Sequence, residues 1–578
     1  IDWRGPGLDS LYTGVFEAKG EVSPTGVSVS MASPVGTPFV TVTDASDIDV
    51  GDFIVTVPQD PYVSTHAYAQ FFSEVVGKAG NTLRLAYPLN LPLGTDCAVH
   101  KVTPARGSIS GIHVVGHGQT SRDNGMGAVL VSHADNFKVS NISSTGLWFK
   151  TLAMKFCTFS EADGVSTISP AATGGGEGYN VQMEYCRHSV VRNARAFFCR
   201  HNVDITASSY VSVKDCYDAY ASGVSYTLHK AYEYKVVFEN CKAFSAIAGF
   251  SLGTITGDFA DQADEITLRN CEVDGWLNYA VQYVSKGKGL IIDGLKARRS
   301  DGAGPTNYSV IIANNDTNIT NLDTDGGVIV SNTSGAFVGG RCKIDRSVIT
   351  GNDDNFRAIF STGDSPAKVD ISCSELVGGL HAAVAGSVIN LSECDHKNIE
   401  NNTGLYVGDD SAVIRMKGGS VSISLAGSAT VNAPLTHRYE DVEFDVNRND
   451  VIVSFTKEAT LRGCNGVLRA SVGSTCTKFS VSDSDLRHPT HPVVSLSSFN
   501  GLLKLVGNTL RCETGQNAIS GTGNCEAIIN GNAITRGAAV LTAVSKGSIQ
   551  GNNFDEATLP ASVADTLVVT GNTLLDER

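Results

Sequence analysis

The stretch "EYCRHSVVRNARAFFCRHNVDIT", residues 184 to 206, holds the triplet Cys-Arg-His twice, beginning at Cys186 and Cys199. Cysteine beside histidine is the raw material of a thiolate nucleophile or a metal site. The chain has no Cys-x-x-Cys pair, however, which argues against zinc. A second pattern begins in the same place. Asp204 stands twelve residues before Cys216, and His229 twelve before Cys241. If those cysteines mark equal positions in adjacent repeat units, the carboxylate and the imidazole lie one strand spacing apart, about 4.8 Å. A carboxylate at that range fixes the imidazole's tautomer and raises its pKa, which suits a general acid or base. The same count puts Gly174 one unit earlier and Phe259 one unit later. Around His229, "GVSYTLHKAYEYKVVFENC" adds Tyr226, Tyr232, Glu233 and Tyr234; "TGDFADQADE" adds Asp258 and Asp261; "ATGGGEG" adds Glu177.

The elements that position these residues are legible from the cysteines. "LAMKFC", "VQMEYC", "VSVKDC", "VVFENC" and "ITLRNC" end at Cys157, Cys186, Cys216, Cys241 and Cys271, with gaps of 29, 30, 25 and 30. Each reads apolar-x-apolar-x-x-Cys. Nearer the C-terminus the punctuation becomes Gly-Asn, at Gly507, Gly531, Gly551 and Gly571. One short alternating strand per 20–30 residues, rich in Val, Ile, Thr and Asn, means a solenoid of strands. One unit cannot bury its apolar side, whereas stacked units can. The fold class expected is all-β: a right-handed single-stranded parallel β-helix with a small N-terminal β-domain and a C-terminal β extension. Residues 154, 183, 213, 238 and 268 are expected in one inward column. In this register Cys186 faces inward and Arg187 and His188 sit on a solvated turn, while Cys199 falls off the register.

The boundaries expected are an N-terminal segment at 1–36, a hairpin-rich β-domain at 37–105, the β-helix with its cleft at 106–490, and a C-terminal repeat at 491–578 that could serve trimerisation. From about 400 the repeat loosens, and the sequence leaves open whether irregular coils or a separate module follow.

Composition sets limits. The chain has 578 residues, 42% hydrophobic and 18% charged, with 60 Gly and a net charge of −15. Thinly spread acidity without basic runs argues against nucleic acid as a partner. No run of 18 apolar residues exists, so no membrane insertion is expected. "IDWRGPGLDSLYTG" lacks the apolar core of a signal peptide. The fourteen cysteines are scattered through a long chain, as reduced, buried filler would be. Asp258, Asp261, Asp264 and Glu265 carry carboxylates, but no loop repeats the ligands of a calcium site. Neither metal nor cofactor is expected.

"FFCRHNVDIT" followed by "VKDCYDAYASGVSYTLHKAYEYKVVFENCKAF…AGFSLG" resembles the pectate-lyase-like β-helix proteins, many of which are bacteriophage tailspike depolymerases. Arg200, His201, His229, Cys241 and Gly249-Phe250 match that pattern, and Thr227 stands where an acidic residue is frequent. The resemblance implies a homotrimer assembled in the host cytoplasm. It implies attachment to the phage tail or baseplate through an N-terminal part, and action on capsule, exopolysaccharide or O-antigen at the bacterial surface.

Three readings follow. In the favoured one, a glycoside hydrolase uses Asp204, His229, Glu233, Asp258 and Asp261, with Arg200, His201, Tyr226, Tyr232 and Glu177 holding the glycan. Asp204 and Asp258, two rungs apart at roughly 9.6 Å, approach the inverting separation. In the second, a lyase uses His229 or Tyr226 as base and Arg200 to neutralise a uronate. In the third, the same cleft binds a glycan without cutting it.

Overall fold

The computed structural model describes residues 14–58, 70–89, 92–116, 127–174, 176–229, 233–253, 263–304, 308–332, 341–351, 357–363, 366–382, 384–398, 406–408, 411–423, 436–445, 453–512, 517–535, 544–555 and 567–575. Tyr232, Asp258, Phe259 and Asp261 lie outside them. Every regular element among the described residues is a β-strand, and none is a helix able to cross a membrane. The chain divides into two compact units, 1–304 and 305–578.

The first unit opens with strand Gly14–Lys19, which pairs in parallel with the start of Gly127–Thr145. The chain then leaves to build an antiparallel closed barrel. Its strands run in the order Glu21–Met31, Phe39–Val42, Thr82–Leu85, Phe71–Ala79, Phe53–Pro58, Cys97–Thr103. Val40, Val42, Ile54, Phe71, Val75, Leu83 and Val99 fill it. The barrel takes in Glu21–Met31, upstream of residue 37. Ala105–Val115 then returns to the parallel stack beside Gly127–Thr145.

From there each coil contributes three short strands to three parallel sheets. Tyr179–Glu184, Val190–Arg192 and Arg195–Phe197 pair with His201–Thr206, Ser212–Lys214 and Tyr217–Ala219 of the next coil. Strands this short suit Val, Ile and Thr, whose branched side chains pack on a pleated surface. The corners turn through left-handed backbone, and one corner is lined by Asn193, Asp215, Asn240 and Asn270, residue types that tolerate it.

The single inward column is corrected. Met154 pairs with Met183 and Met183 with Ile205, on one sheet. Val213 pairs with Phe238 and Phe238 with Leu268, on the next sheet. Correspondingly, Arg187 bridges Thr158 and Ser209, so Cys186 stacks between Cys157 and Ser208. Cys216, Cys241 and Cys271 form another column. The cause is geometric: two sheets end in the same apolar-x-apolar-x-x-Cys pattern, and a coil of 22 residues (Met183 to Ile205) plus the step to the next corner looks like one period of 30. All fourteen cysteines are free, and all but Cys373 are buried.

The second unit is also a stack of parallel strands, continuing through the loosened region (Val413–Ile423, Thr436–Glu440, Glu458–Arg462, Lys478–Ser482). Its Gly-Asn repeat is a corner ladder. The glycines at 507, 531, 551 and 571 take positive φ, where a side chain would strain the backbone. Each following Asn points inward and donates through Nδ2 to the next, Asn508 to Asn532 to Asn552 to Asn572, at 2.8 to 2.9 Å.

Candidate functional site

The site is built on one sheet of the first unit, formed by Tyr179–Glu184, His201–Thr206, Val224–Leu228 and Ala248–Leu252. Val181, Val203, Tyr226 and Phe250 share one inward row; Met183, Ile205, Leu228 and Leu252 share another. Between them Gln182, Asp204, Thr227 and Ser251 form an outward row that is nonetheless buried. In His201–Thr206 the alternation breaks. Asn202 turns inward next to Val203, donating to the carbonyls of Ala194 and Tyr217. His201 and Asp204 therefore meet at one place, together with His229.

There, His229 Nδ1 donates to Asp204 Oδ2 at 2.6 Å. Asp204 is 0% exposed, and the His229 side chain is 29% exposed. Asp204 Oδ1 accepts from Gln182 Nε2 at 3.3 Å and from Thr206 Oγ1 at 3.4 Å. Burial opposes ionisation of Asp204, but the charge and hydrogen bond of His229, with His201 and Gln182, outweigh it and lower its pKa to about 2. In return the charge of Asp204, against burial, raises the pKa of His229. With Nδ1 committed to Asp204, His229 carries its reactive lone pair on Nε2. His201 Nδ1 donates to the Val224 carbonyl, and burial holds this imidazole down at about 4, so it is neutral at pH 7. Its Nε2 is buried without a hydrogen-bond partner among the described residues. Arg200 Nη1 donates to the Gly174 carbonyl, and its guanidinium lies 5.8 Å from the centre of the Tyr179 ring. Its charge acts on both imidazoles.

Glu233 is 2% exposed and accepts from the Ala207 backbone N–H at 3.0 Å. Burial pushes its pKa up to about 8, so it is protonated at neutral pH. Ligand atoms of His201, Asp204 and His229 lie within 4.8 Å of one another, a donor set able to hold a metal ion. Asp204 and His229 already satisfy each other, and the arrangement stands as a hydrogen-bonded pair.

The structure thus brings Asp204, His229, His201, Arg200 and Glu233 together, but not in the register expected. Asp204 pairs with Thr227, not with the His229 position, and the slot one coil earlier is Gln182, not Gly174. His229 follows Leu228, which pairs with Ile205. The carboxylate reaches it diagonally. The cysteine offset of 25 residues includes two extra residues between this sheet and the next, where the strand offset is only 23. Tyr226, expected to meet substrate, is 0% exposed. It stacks on Phe250 at 4.8 Å, and its hydroxyl donates to the Lys242 carbonyl. It shares the slot of Val203 and is core. Glu177 sits half-buried beside Gly174. Tyr232, Asp258 and Asp261 are outside the described residues.

The triplets divide. Arg187 is buried, not solvated: its guanidinium lies 3.7 Å from the centre of the Phe71 ring of the barrel and donates to the Pro88 carbonyl. His188 stacks between Phe159 and Tyr210. Cys199 faces the solenoid interior beside Asp218, whose pKa burial raises to about 7. Only Arg200 and His201 join the site. Sequence reasoning missed Gln182 and Tyr179; the 22-residue offset from Gln182 to Asp204 is the signal that would have found them.

No family model matches the chain, and no curated protein does. Among solved structures it is similar to three tailspikes. One is the Gp54 tailspike of Acinetobacter baumannii bacteriophage AP22, in complex with A. baumannii capsular saccharide (13% identity, 81% of this chain and 68% of that one, TM-score 0.41). Another is the tailspike gp49 of Pseudomonas phage LKA1 (14%, 85% and 67%, TM-score 0.35). A third is the tailspike gp61 of Pseudomonas phage phi297 (12%, 78% and 63%, TM-score 0.31). At these identities the likeness says nothing of what this chain binds or cuts.

Proposed function

We propose that this protein is a tailspike-type depolymerase that binds a bacterial surface polysaccharide and cleaves it, with His229 moving the proton and Asp204 holding His229. The observation that carries this is the 2.6 Å bond from His229 Nδ1 to a fully buried carboxylate, with the imidazole still partly exposed. A buried acceptor that orients an exposed imidazole is the arrangement of a positioned base.

The described groups favour β-elimination over hydrolysis by paired carboxylates. Asp204 and Glu233 are both buried and hydrogen-bonded, so neither is free to flank a glycosidic oxygen. Two imidazoles and a guanidinium stand beside them instead. In elimination, His229 Nε2 takes the proton alpha to a uronate carboxylate, and Arg200 stabilises the charge that develops there. The electron pair left on carbon forms the new double bond. The bond to the glycosidic oxygen breaks with its electrons on that oxygen, which then takes a proton. The substrate is accordingly a polysaccharide containing uronic acid.

The test is incubation with a panel of purified capsules and exopolysaccharides, following product ultraviolet absorbance and new reducing ends. Both signals, lost together in His229→Ala, are expected. Reducing ends without absorbance would move the chemistry to hydrolysis, with Asp258 and Asp261 as the next carboxylates to replace. Binding without either signal would leave a glycan-binding spike.

A further inference from the structure

The corner where the chain enters the site sheet is lined by exposed aromatic side chains. Phe198 is 52% exposed and Tyr220 46%, and the exposed Ile168 and Phe244 stand one residue before that corner, in the row of Phe197 and Ala219. The Phe198 and Tyr220 rings stack at 5.1 Å and 11°, and Tyr220 meets Phe244 edge-on at 5.8 Å. Phe198 and Tyr220 sit on left-handed backbone, φ 58 and 60. At the neighbouring corner the same conformation is given to Asn193, Asp215, Asn240 and Asn270, the types that adopt it with least strain. Aromatic residues also occupy the corner at Phe159 and His188, where the barrel's Tyr87 packs on them at 6.1 and 4.4 Å, although Phe159 stays 52% exposed. Among the described residues, Phe198 and Tyr220 have no barrel ring against them. Strained backbone that presents a bulky exposed ring calls for a reason beyond packing.

Their position supplies one. Phe198 is two residues before Arg200 and three before His201. Tyr220 is three before Gly223, where an added Cβ would lie 3.0 Å from the Arg200 carbonyl, 3.1 Å from Arg200 Cγ and 3.5 Å from His201 Cε1. Gly223 has no positive φ to explain it; its missing side chain is what lets Arg200 and His201 pack against that backbone. On the other side, Phe198 is opposite Ser169 of the preceding coil, whose N–H donates to the Phe197 carbonyl. A small residue there leaves one face of the Phe198 ring uncovered.

We propose that the Phe198–Tyr220 edge is a saccharide-binding platform of the site. One sugar ring packs its C–H face on Phe198, and the glycan passes Gly223 so that a uronate carboxylate meets Arg200. Aromatic rings hold pyranose faces through the same offset contacts they make with each other. This rests on the proposed cleavage of a uronate-containing polysaccharide, and its occupant is the glycan rather than a second copy of the chain, because Phe198 lies two residues from Arg200 and three from His201.

The probe is the purified capsule or exopolysaccharide that the wild-type protein binds from the panel above. Phe198→Ala and Tyr220→Ala, both at exposed positions, should each weaken its binding and raise KM by about two- to tenfold. Their kcat and particle mass should stay unchanged, and Phe198→Trp should restore affinity. Unaltered affinity in both alanine variants overturns the platform. A fall in particle mass with unaltered affinity per chain overturns it too, by assigning the edge to another subunit. His229→Ala separates the two proposals: it should abolish cleavage and retain binding. If the wild type binds but does not cut, the cleavage reading fails while the affinities still decide the platform. If no panel glycan binds, both fail.

Discussion

Replacing Asp204 with Asn probes the site most directly, because one oxygen of that carboxylate sets the proton affinity of His229. Charges in hydrogen-bonded contact, with centres about 4 Å apart, interact by about 4 kcal/mol at an effective dielectric of 20. Burial of His229 and the nearby Arg200 offset part of this. The His229 midpoint is therefore expected to fall in Asp204→Asn, since its largest raising influence is removed. In wild type the base is available above a midpoint higher than 6.5, so cleavage rises with pH through that midpoint. In Asp204→Asn the rising limb moves to lower pH, and the plateau falls by about 10²–10⁴ as the imidazole loses its held orientation. Histidine NMR titration reads the same midpoint without substrate. The fold also weakens. Asp204 has a depressed folded pKa of about 2, against 3.8 ordinarily, so its stabilisation is full above 3.8 and is lost as pH falls through about 2. Its removal costs about 2 kcal/mol at neutral pH. A midpoint and limb that stay where they are in Asp204→Asn would refute the pairing as the source of His229's basicity.

Glu233 behaves with the opposite sign. Its folded pKa of about 8 lies above the ordinary 4.5, so stability is full below 4.5 and is lost as pH rises through about 8; Glu233→Gln should gain Tm over wild type progressively as pH rises from about 4.5 to 8, and a pH-independent difference would count against it. His396 and His437 are buried in the second unit with pKa values lowered to about 4, so each withdraws about 3 kcal/mol as pH falls from 6.5 to 4; His437→Leu should flatten the acid limb of a melting series, and an unchanged limb contradicts this. Tyr226→Phe should lose about 1 kcal/mol and keep cleavage, whereas Tyr226→Ala should lose about 3–5 kcal/mol; loss of cleavage in the Phe variant at unchanged Tm would place the hydroxyl at the substrate. Light scattering should give three times 60.8 kDa, about 182 kDa, and a monomer at micromolar concentration would remove the trimer implied by the sequence resemblance.

The strand repeat was legible because burial on a pleated surface writes itself as apolar-x-apolar, and the cysteines as free interior filler follow from the same pattern. The Asp204–His229 pairing was reached from a count that treated coils as equal. It survived although the register was wrong, because a diagonal neighbour across two strands is still within reach of an imidazole. Tyr226 could not be placed that way. Whether a residue faces in or out depends on a shift of one, and the two extra residues after Leu228 are invisible in the cysteine spacing. The inward turn of Asn202 beside Val203, which brings His201 next to Asp204, depends on carbonyls of the preceding and following corners. Arg187 was read as solvated because its partners, Phe71 and Pro88, are about a hundred residues away in the chain.

The barrel enters the chain at a single gap in the stack. Lys19 ends a solenoid strand, Ala105 begins the next, and a Cβ on Gly20 would lie 2.7 Å from the Thr103 carbonyl and 3.1 Å from the Ala105 nitrogen. Entry and exit are thus side by side, and the barrel is topologically a graft: another module with closely spaced ends could occupy the gap without moving any coil. What ties this barrel down is chemical. Val22, Phe53, Val55, Phe72 and Val102 close over Phe156, Tyr185 and Ala207, and Arg187 reaches across to Phe71. A replacement would have to bring its own apolar cover for that corner, or the solenoid would present bare aromatic surface next to its candidate active site.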